Sequence, residues 1–503
     1  MAARTAQADT VSATKYTADV ENLKGELSKA RRRIRDLEYE RTRVRQKPIP
    51  EQAIMALAAL PTWMQASVQE VVTDKTMREI VMEVLERRNE FSSEHVALLA
   101  GIGMNRKARD HVNKALDKHW REPKTGNFYN TVIVGGGLHA AIYVSVMAKM
   151  PGRTRALVIE TEHVGGVFAC SQGPSFFLNS PNRAGDGISV PGRGGALNYL
   201  PGCDVQPADL DGAEYQTNDV MAWAIRTNLA LNADVWLGPK VKSTAYRTVY
   251  DKNGKQLTRA GDRVIVATGL GNEKRLLPDA PKARYVTFTE FMAMTEKPFP
   301  MRGMNRIAVL GGGDSGKCVI EALIGQGPKM LTMASLDRPE ICWYGVKSSC
   351  RTRGDWLMTT RSRYKGIGRA LQNDSNSLRT CRVRLRGNEN DRYKATVISM
   401  GVNCVYVNGE PYDMVIDCTG WETPQRPIGD ITPTGSVTDQ NGSQWGATFT
   451  NGFIIGCASI PYINPSSIDQ GQFKNVGENK TSIFYLGKKT EGVAMRLSGV
   501  GSF

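Results

Sequence analysis

Apolar residues recur along this chain in two rhythms, and the change from one to the other divides it. From Val20 they fall at Val20, Leu23, Leu27, Ala30, Ile34, Leu37 and Val44, with Arg41 in register. Spacings that alternate three and four form the seam of a coiled coil, and the flanks (SKARRRIRDLEYERTRVRQK) are charged. The pattern predicts a coiled coil over 20–47 and self-association through it; a single amphipathic helix packed on its own domain is the alternative. Residues 1–19 are polar and aperiodic, which predicts a flexible arm. Pro48 and Pro50 end the coiled coil, because proline has no amide to offer the next turn. Helical spacing returns in EQAIMALAAL, MREIVMEVLERR, SSEHVALLAGIG and RKARDHVNKALDKHW, predicting a small helical domain over 51–122 with a docking or assembly role.

After Phe128 the rhythm shortens to that of strands. Thr131 to Val134 is an apolar run that leads straight into Gly135, Gly136 and Gly137, with Ala140 where the last small residue of G-x-G-x-x-G/A falls. A second apolar run, Ala156 to Ile159, ends on Glu160. Each part has a physical task. Gly135 permits the tight turn, Gly137 lets backbone amides reach a pyrophosphate, and Ala140 lets the following helix pack on the strand. Glu160 stands at the distance downstream where an acid accepts a ribose hydroxyl. The stretch therefore predicts a dinucleotide cradle.

The arrangement recurs. Ile307 to Leu310 is another apolar strand, followed by Gly311, Gly312, Gly313 and Gly316 in GGGDSGK and by the helix-like CVIEALIG. More than a hundred residues after each glycine turn comes a strand ending in Thr-Gly, RVIVATG closing on Gly269 and DMVIDCTG on Gly420. Asn253-Gly254 predicts a hairpin on the way to the first of these. In the second unit KMLTMAS, from Lys329 to Ser335, reads as the second strand, with Asp337 and Arg338 just beyond it. An acid there favours NADH and an arginine favours NADPH, so the choice stays open.

From Asn130 to Leu486 the chain resembles the flavoproteins with two dinucleotide-binding domains, a group that spans disulfide reductases, flavin-containing monooxygenases and N-hydroxylating monooxygenases. The resemblance is carried by the GGGLHAA turn, Glu160, the pair Gly165-Gly166, the ATG at Ala267 to Gly269, GGGDSG, the CTG at Cys418 to Gly420, and NGFIIGC from Asn451 to Cys457. It implies an α/β fold with two Rossmann-like domains, FAD on the first glycine turn and NADH or NADPH on the second. The implied division is an FAD-binding domain over 128–300, an NAD(P)-binding-like domain over 301–425 with a basic insertion at 347–394, a return to the first domain over 426–487, and a tail over 488–503. Gly165, Gly166, Gly269 and Gly456 join Gly135, Gly137, Ala140 and Glu160 as implied flavin-side residues, and Gly311, Gly313 and Gly316 serve the nicotinamide cofactor. Two departures matter. Disulfide reductases carry a cysteine pair after the Gly-Gly, whereas only Cys170 is present and no histidine follows residue 163, which disfavours a dithiol mechanism. In the last flavin-contact strand the family's Gly-Asp, whose acid binds a ribityl hydroxyl, is here Gly456-Cys457.

Composition narrows the setting. The nine cysteines are scattered with no C-x-x-C, and read as packed thiols rather than metal ligands or a disulfide framework. No apolar run reaches the length of a membrane span and no signal core opens the chain, which predicts a cytoplasmic protein. The net charge is +15, and Lys347 to Lys394 holds 13 Lys or Arg against 4 acids. A solvated basic face explains this; so does an acidic partner such as nucleic acid.

Two readings follow. One is an FAD-dependent oxidoreductase using NAD(P)H on an unknown small-molecule substrate, monooxygenase-like in style and oligomeric through its coiled coil. The other is a structural or assembly protein, of a viral particle or a nucleic-acid-associated array, that has kept the flavoprotein fold without its chemistry.

Overall fold

The computed structural model describes residues 94, 97–98, 101, 106–123, 129–150, 155–170, 178, 200, 216–245, 248–258, 263–294, 304–311, 314–323, 339–344, 383–386, 398–422, 427–429, 431–438, 444–450, 452–462 and 483–497. The expected arm, the expected coiled coil, the segment 329–335 and the basic stretch apart from 383–386 lie outside the described residues.

In chain order the first elements are α1 (Arg106–His119), β1 (Thr131–Val134), α2 (Leu138–Ala148), β2 (Ala156–Glu160), the short α3 (Val167–Cys170), α4 (Asn218–Asn232), β3 (Ala233–Leu237), β4 (Val241–Ala245), β5 (Thr248–Asp251) and β6 (Arg263–Val266). The chain then passes through β7 (Asn272–Glu273) into a second unit made of β8 (Tyr285–Thr287), α5 (Phe288–Met294), β9 (Arg306–Leu310), α6 (Asp314–Leu323), β10 (Glu340–Tyr344), β11 (Val383–Arg386), β12 (Ile398–Met400), β13 (Val405–Val407), β14 (Glu410–Tyr412) and β15 (Met414–Asp417). It returns through β16 (Trp421–Glu422) to β17 (Gly435–Thr438), β18 (Gln444–Phe449), β19 (Gly452–Ile454), a 3-10 helix over Gly456–Tyr462, and α7 (Ile483–Leu497).

The first sheet has the order β17-β18-β19-β6-β1-β2-β3 and the second the order β11-β10-β9-β15-β8. From β19 to β3 the first is parallel, as the second is throughout. The glycine-turn strand (β1 or β9) stands in the middle of each five-strand parallel set, with the Thr-Gly strand (β6 or β15) on one side and the second strand (β2 or β10) on the other. Parallel strands are covered on both faces, which is why TVIV, ALVIE and RIAVL are near-continuous apolar runs whose residues are almost all buried. The chain is thus α/β, with two Rossmann-like units. Each has its own core: Ile133, Val158, Ile265 and the inner faces of α2 and α4 in the first, and Ile307, Val309, Trp343 and Ile416 in the second. The hairpin at Asn253-Gly254 folds as predicted, with Gly254 at φ +80° and the Asp251 amide donating to the Lys255 carbonyl at 3.0 Å.

One expectation is corrected. The strand hydrogen-bonded beside β9 is β10, with Ile341 opposite Ile307 and Tyr344 opposite Leu310. Asp337 and Arg338 therefore precede the second strand of this unit instead of following it. The residue after that strand is Gly345, where the first unit has an acid.

The helical segment before the first cradle belongs to that unit's core. Ala97, Leu98, Val112, Leu116 and Trp120 pack into the same cluster as α2 and α4. Two buried cations on this contact face acids across it. Arg109 meets Asp219 at 2.6 Å, with side chains only 8% and 10% exposed. Arg226 meets Asp117 at 2.7 Å and lies 4.7 Å from the Trp120 ring. Trp223, fully buried on α4, donates its indole N–H to the Ala97 carbonyl at 2.8 Å. These contacts give α4 a fixed seat, and α4 in turn backs α2, the helix that leads out of the glycine turn.

Candidate dinucleotide-binding site

β1 ends in a turn only glycine can make. Gly135 has φ +105°, and a Cβ there would stand 2.5 Å from the Ala267 carbonyl oxygen at the end of β6. The second unit repeats the relation: Gly311 has φ +115°, and its Cβ would stand 2.3 Å from the Cys418 carbonyl oxygen at the end of β15. Each glycine turn is therefore wedged beneath the Thr-Gly end of the neighbouring strand.

In the first unit Gly137 is the extended residue before α2 and carries no side chain to cap it. The first-turn amides of the helix, and the positive end of its dipole, are left for a ligand. Ala140, fully buried, allows α2 to close on the sheet. The pair Gly165-Gly166 packs under the turn, with the Gly165 amide donating to the Gly136 carbonyl at 2.8 Å. Gly137, Leu138, His139, Glu160, Gly165, Gly166, Val167, Phe168, Thr268, Gly269, Gly271 and Cys457 are among the residues that line an open cleft at this end of the sheet.

Glu160 is the acid of this cleft. Its Oε2 accepts the Gly136 amide at 2.7 Å, and its Oε1 accepts the amides of Thr161 and Glu162 at 2.7 and 3.1 Å. Three backbone donors hold the carboxylate at the mouth of the turn, with acceptor capacity left over. Opposite, burial pushes the Cys457 thiol up to about 12, so it stays protonated.

Of the first-cradle residues singled out from the sequence, Gly135, Gly137, Glu160, Gly165, Gly166 and Gly269 line the cleft. Ala140 and Gly456 stand behind it. Gly456 has φ +63°, and a Cβ on it would lie 2.3 Å from Cγ of the His139 ring. Sequence reasoning passed over His139, Thr268 and Phe168. His139 and Thr268 lie inside the quoted motifs, which was the available signal. In the second unit Gly316 closes on the turn, where a Cβ would meet the Gly311 carbonyl oxygen at 2.0 Å, and that oxygen also accepts the Trp343 indole N–H at 2.8 Å. Gly313 lies outside the described residues. Cys318, Cys342, Cys404, Cys418 and Cys457 are free thiols. Among the described residues no cluster of three or more His, Cys, Asp or Glu could hold a metal, and no helix is long and apolar enough to cross a membrane.

No protein-family model matches the chain, and a search of curated proteins gives no match. Solved structures do resemble it. An ornithine N-hydroxylase from Kutzneria sp. 744, in complex with reduced FAD, NADP+ and L-ornithine, is 12% identical, with 74% of this chain and 100% of that chain covered and a TM-score of 0.46. The FAD-bound cadaverine monooxygenase DfoA from Erwinia amylovora is 13% identical over 74% of this chain and 95% of that one, with a TM-score of 0.45. The flavoprotein disulfide reductase RclA from Escherichia coli is 16% identical over 75% and 72%, with a TM-score of 0.41.

Proposed function

We propose that the chain is an FAD-dependent oxidoreductase that draws its electrons from NADH or NADPH, with FAD at the first glycine turn and the nicotinamide cofactor at the second. One observation carries this reading. The same central glycine-turn strand between a Thr-Gly strand and a second strand, and the same wedge of glycine under a Thr-Gly carbonyl, occur twice, so that one chain offers two phosphate cradles. The first has residues that fit the adenosine half of a flavin dinucleotide: open helix amides after Gly137 for the diphosphate and Glu160 for the ribose. When bound there, a flavin supplies hydride-accepting and oxygen-reactive chemistry that no side chain provides. The chain's own residues position it and keep its diphosphate side against the buried floor made by α2.

In the second unit the residue after β10 is Gly345, with Lys347 two places further on. The sequence holds no acid between Tyr344 and Asp355 that would repel a 2′-phosphate, which supports NADPH over NADH as the donor. A lone Cys170 after Gly165-Gly166 supports a monooxygenase-like route in which reduced flavin meets oxygen or a small acceptor, over a dithiol route. Assembly through a coiled coil over 20–47 belongs to the same proposal. An absorption spectrum of the purified protein supplied with FAD tests the reading: bound flavin that bleaches on addition of NADPH is expected. A colourless protein that binds neither FAD nor ADP would return the chain to the assembly reading.

A further inference from the structure

The first cleft is chemically lopsided. It runs across the carboxyl ends of β2, β1, β6 and β19, with Glu160 at one end and Cys457, just past β19, at the other. Three strand spacings separate those ends, or about 14 Å. A diphosphate held at the first turn of α2, beyond β1, therefore has one nucleoside over β2 and whatever lies on its other side over β6 and β19. The first nucleoside meets a carboxylate anchored by three amides. The second group meets Thr268, Gly269, Leu270, Gly271 and Cys457, and among the described lining residues Glu160 is the only acid.

Cys457 is held firmly in that place. It is 2% exposed, and the residue before it, Gly456, takes a left-handed turn so close to the His139 ring of α2 that a Cβ there would lie 2.3 Å from the ring. A protonated thiol is a weak donor and a weak acceptor. It offers a polyol chain little compared with a carboxylate.

Resting on the reading that this cleft takes an adenine dinucleotide, we infer that Cys457 sets the ranking of its ligands. The cleft grips the adenosine diphosphate half shared by FAD and ADP-ribose and, among the described lining residues, gives the ribityl chain no charged acceptor. FAD is then held reversibly, little better than ADP-ribose, and exchanges with the pool.

Titrations of the full-length protein with FAD, ADP-ribose and ADP test this, in the natural chain and in Cys457→Asp. In the natural chain the Kd values for FAD and ADP-ribose are expected within about tenfold of each other. Cys457→Asp is expected to tighten FAD by roughly ten- to hundredfold, the span of a hydrogen bond to a charged acceptor, and to leave ADP unchanged. Should a buried Asp cost the variant its ADP binding as well, Cys457→Asn supplies a neutral carbonyl acceptor and is expected to move FAD in the same direction by a smaller factor. FAD held more than a hundredfold tighter than ADP-ribose by the natural chain would overturn the inference. So would an unchanged ratio of FAD to ADP affinity in a variant that still binds ADP. If the natural chain binds no ADP, the dinucleotide reading itself fails, and this inference with it.

Discussion

The amide of Gly136 donates to Glu160 Oε2 at 2.7 Å, tying the middle of the first glycine turn to the end of β2. The carboxylate proposed to face a ribose therefore also shapes the loop proposed to face the diphosphate. Glu160→Gln keeps the length and loses the charge; it is expected to weaken ADP about tenfold, since hydrogen bonds to charged groups are worth about 1.5 to 3 kcal/mol. Glu160→Ala also frees the turn and should cost closer to a hundredfold. Fluorescence titration with ADP measures both.

Gly135 and Gly311 occupy matching strained positions in units whose hydrophobic cores share no residue. Alanine at either would have to adopt a positive φ and displace a carbonyl, at a cost of about 2 to 4 kcal/mol. Differential scanning calorimetry should show Gly135→Ala lowering the melting of the first unit alone and Gly311→Ala that of the second alone, each by several degrees. A common shift in both variants would mean the units melt as one.

Arg109 and Asp219, 110 residues apart in sequence, form a nearly solvent-free pair. Removing one partner leaves an uncompensated buried charge, so Arg109→Met is expected to cost about 3 to 5 kcal/mol in urea unfolding. The double replacement Arg109→Met with Asp219→Leu leaves no such charge and is expected to recover most of that loss. Equal losses in the single and double variants would show that shape, not charge, sets the contact.

Two carboxyls near the crossing between the units respond to pH with opposite sign. Burial pushes Glu273 above the ordinary carboxylate range, aided by Asp417 and opposed by hydrogen bonds from Thr287 and Thr289. Its protonated form is the one the fold favours, so its contribution is complete below the unfolded value and fades as pH rises through the raised one. Glu273→Gln is therefore expected to melt higher than the natural chain at pH 7, with the gain vanishing in acid. Burial also works against ionisation of Glu290, but Lys282, the Thr287 amide and Arg275 outweigh it and hold this carboxyl at about 2. Its contribution is present above the unfolded value and is lost as pH falls towards 2. Glu290→Gln should melt lower at pH 7 and converge on the natural chain near pH 2.

What could be read from the sequence was local. Strand, glycine turn, small residue, helix, strand and acid follow one another between Thr131 and Glu160, and each obeys a rule of its own neighbourhood. The place of β10 escaped this reasoning because KMLTMAS and EICWY are both short apolar runs that periodicity cannot rank. Pairing with β9 decides it, and Ile341, Cys342, Trp343 and Tyr344 are buried there. The seat of α4 against Arg109 and Trp120, and the His139 ring against Gly456, join residues far apart in the chain, and no pattern within either stretch announces its partner.

The strands that enter and leave the second unit pair with each other, Asn272 opposite Glu422 and Glu273 opposite Trp421, and the Lys274 amide donates to the Gly420 carbonyl at 2.9 Å. The inserted unit thus begins and ends at one doorway. A graft could close that doorway with a two- or three-residue turn from Asn272 to Glu422, yielding the first unit as a minimal scaffold, while 273–421 could be moved whole into another host.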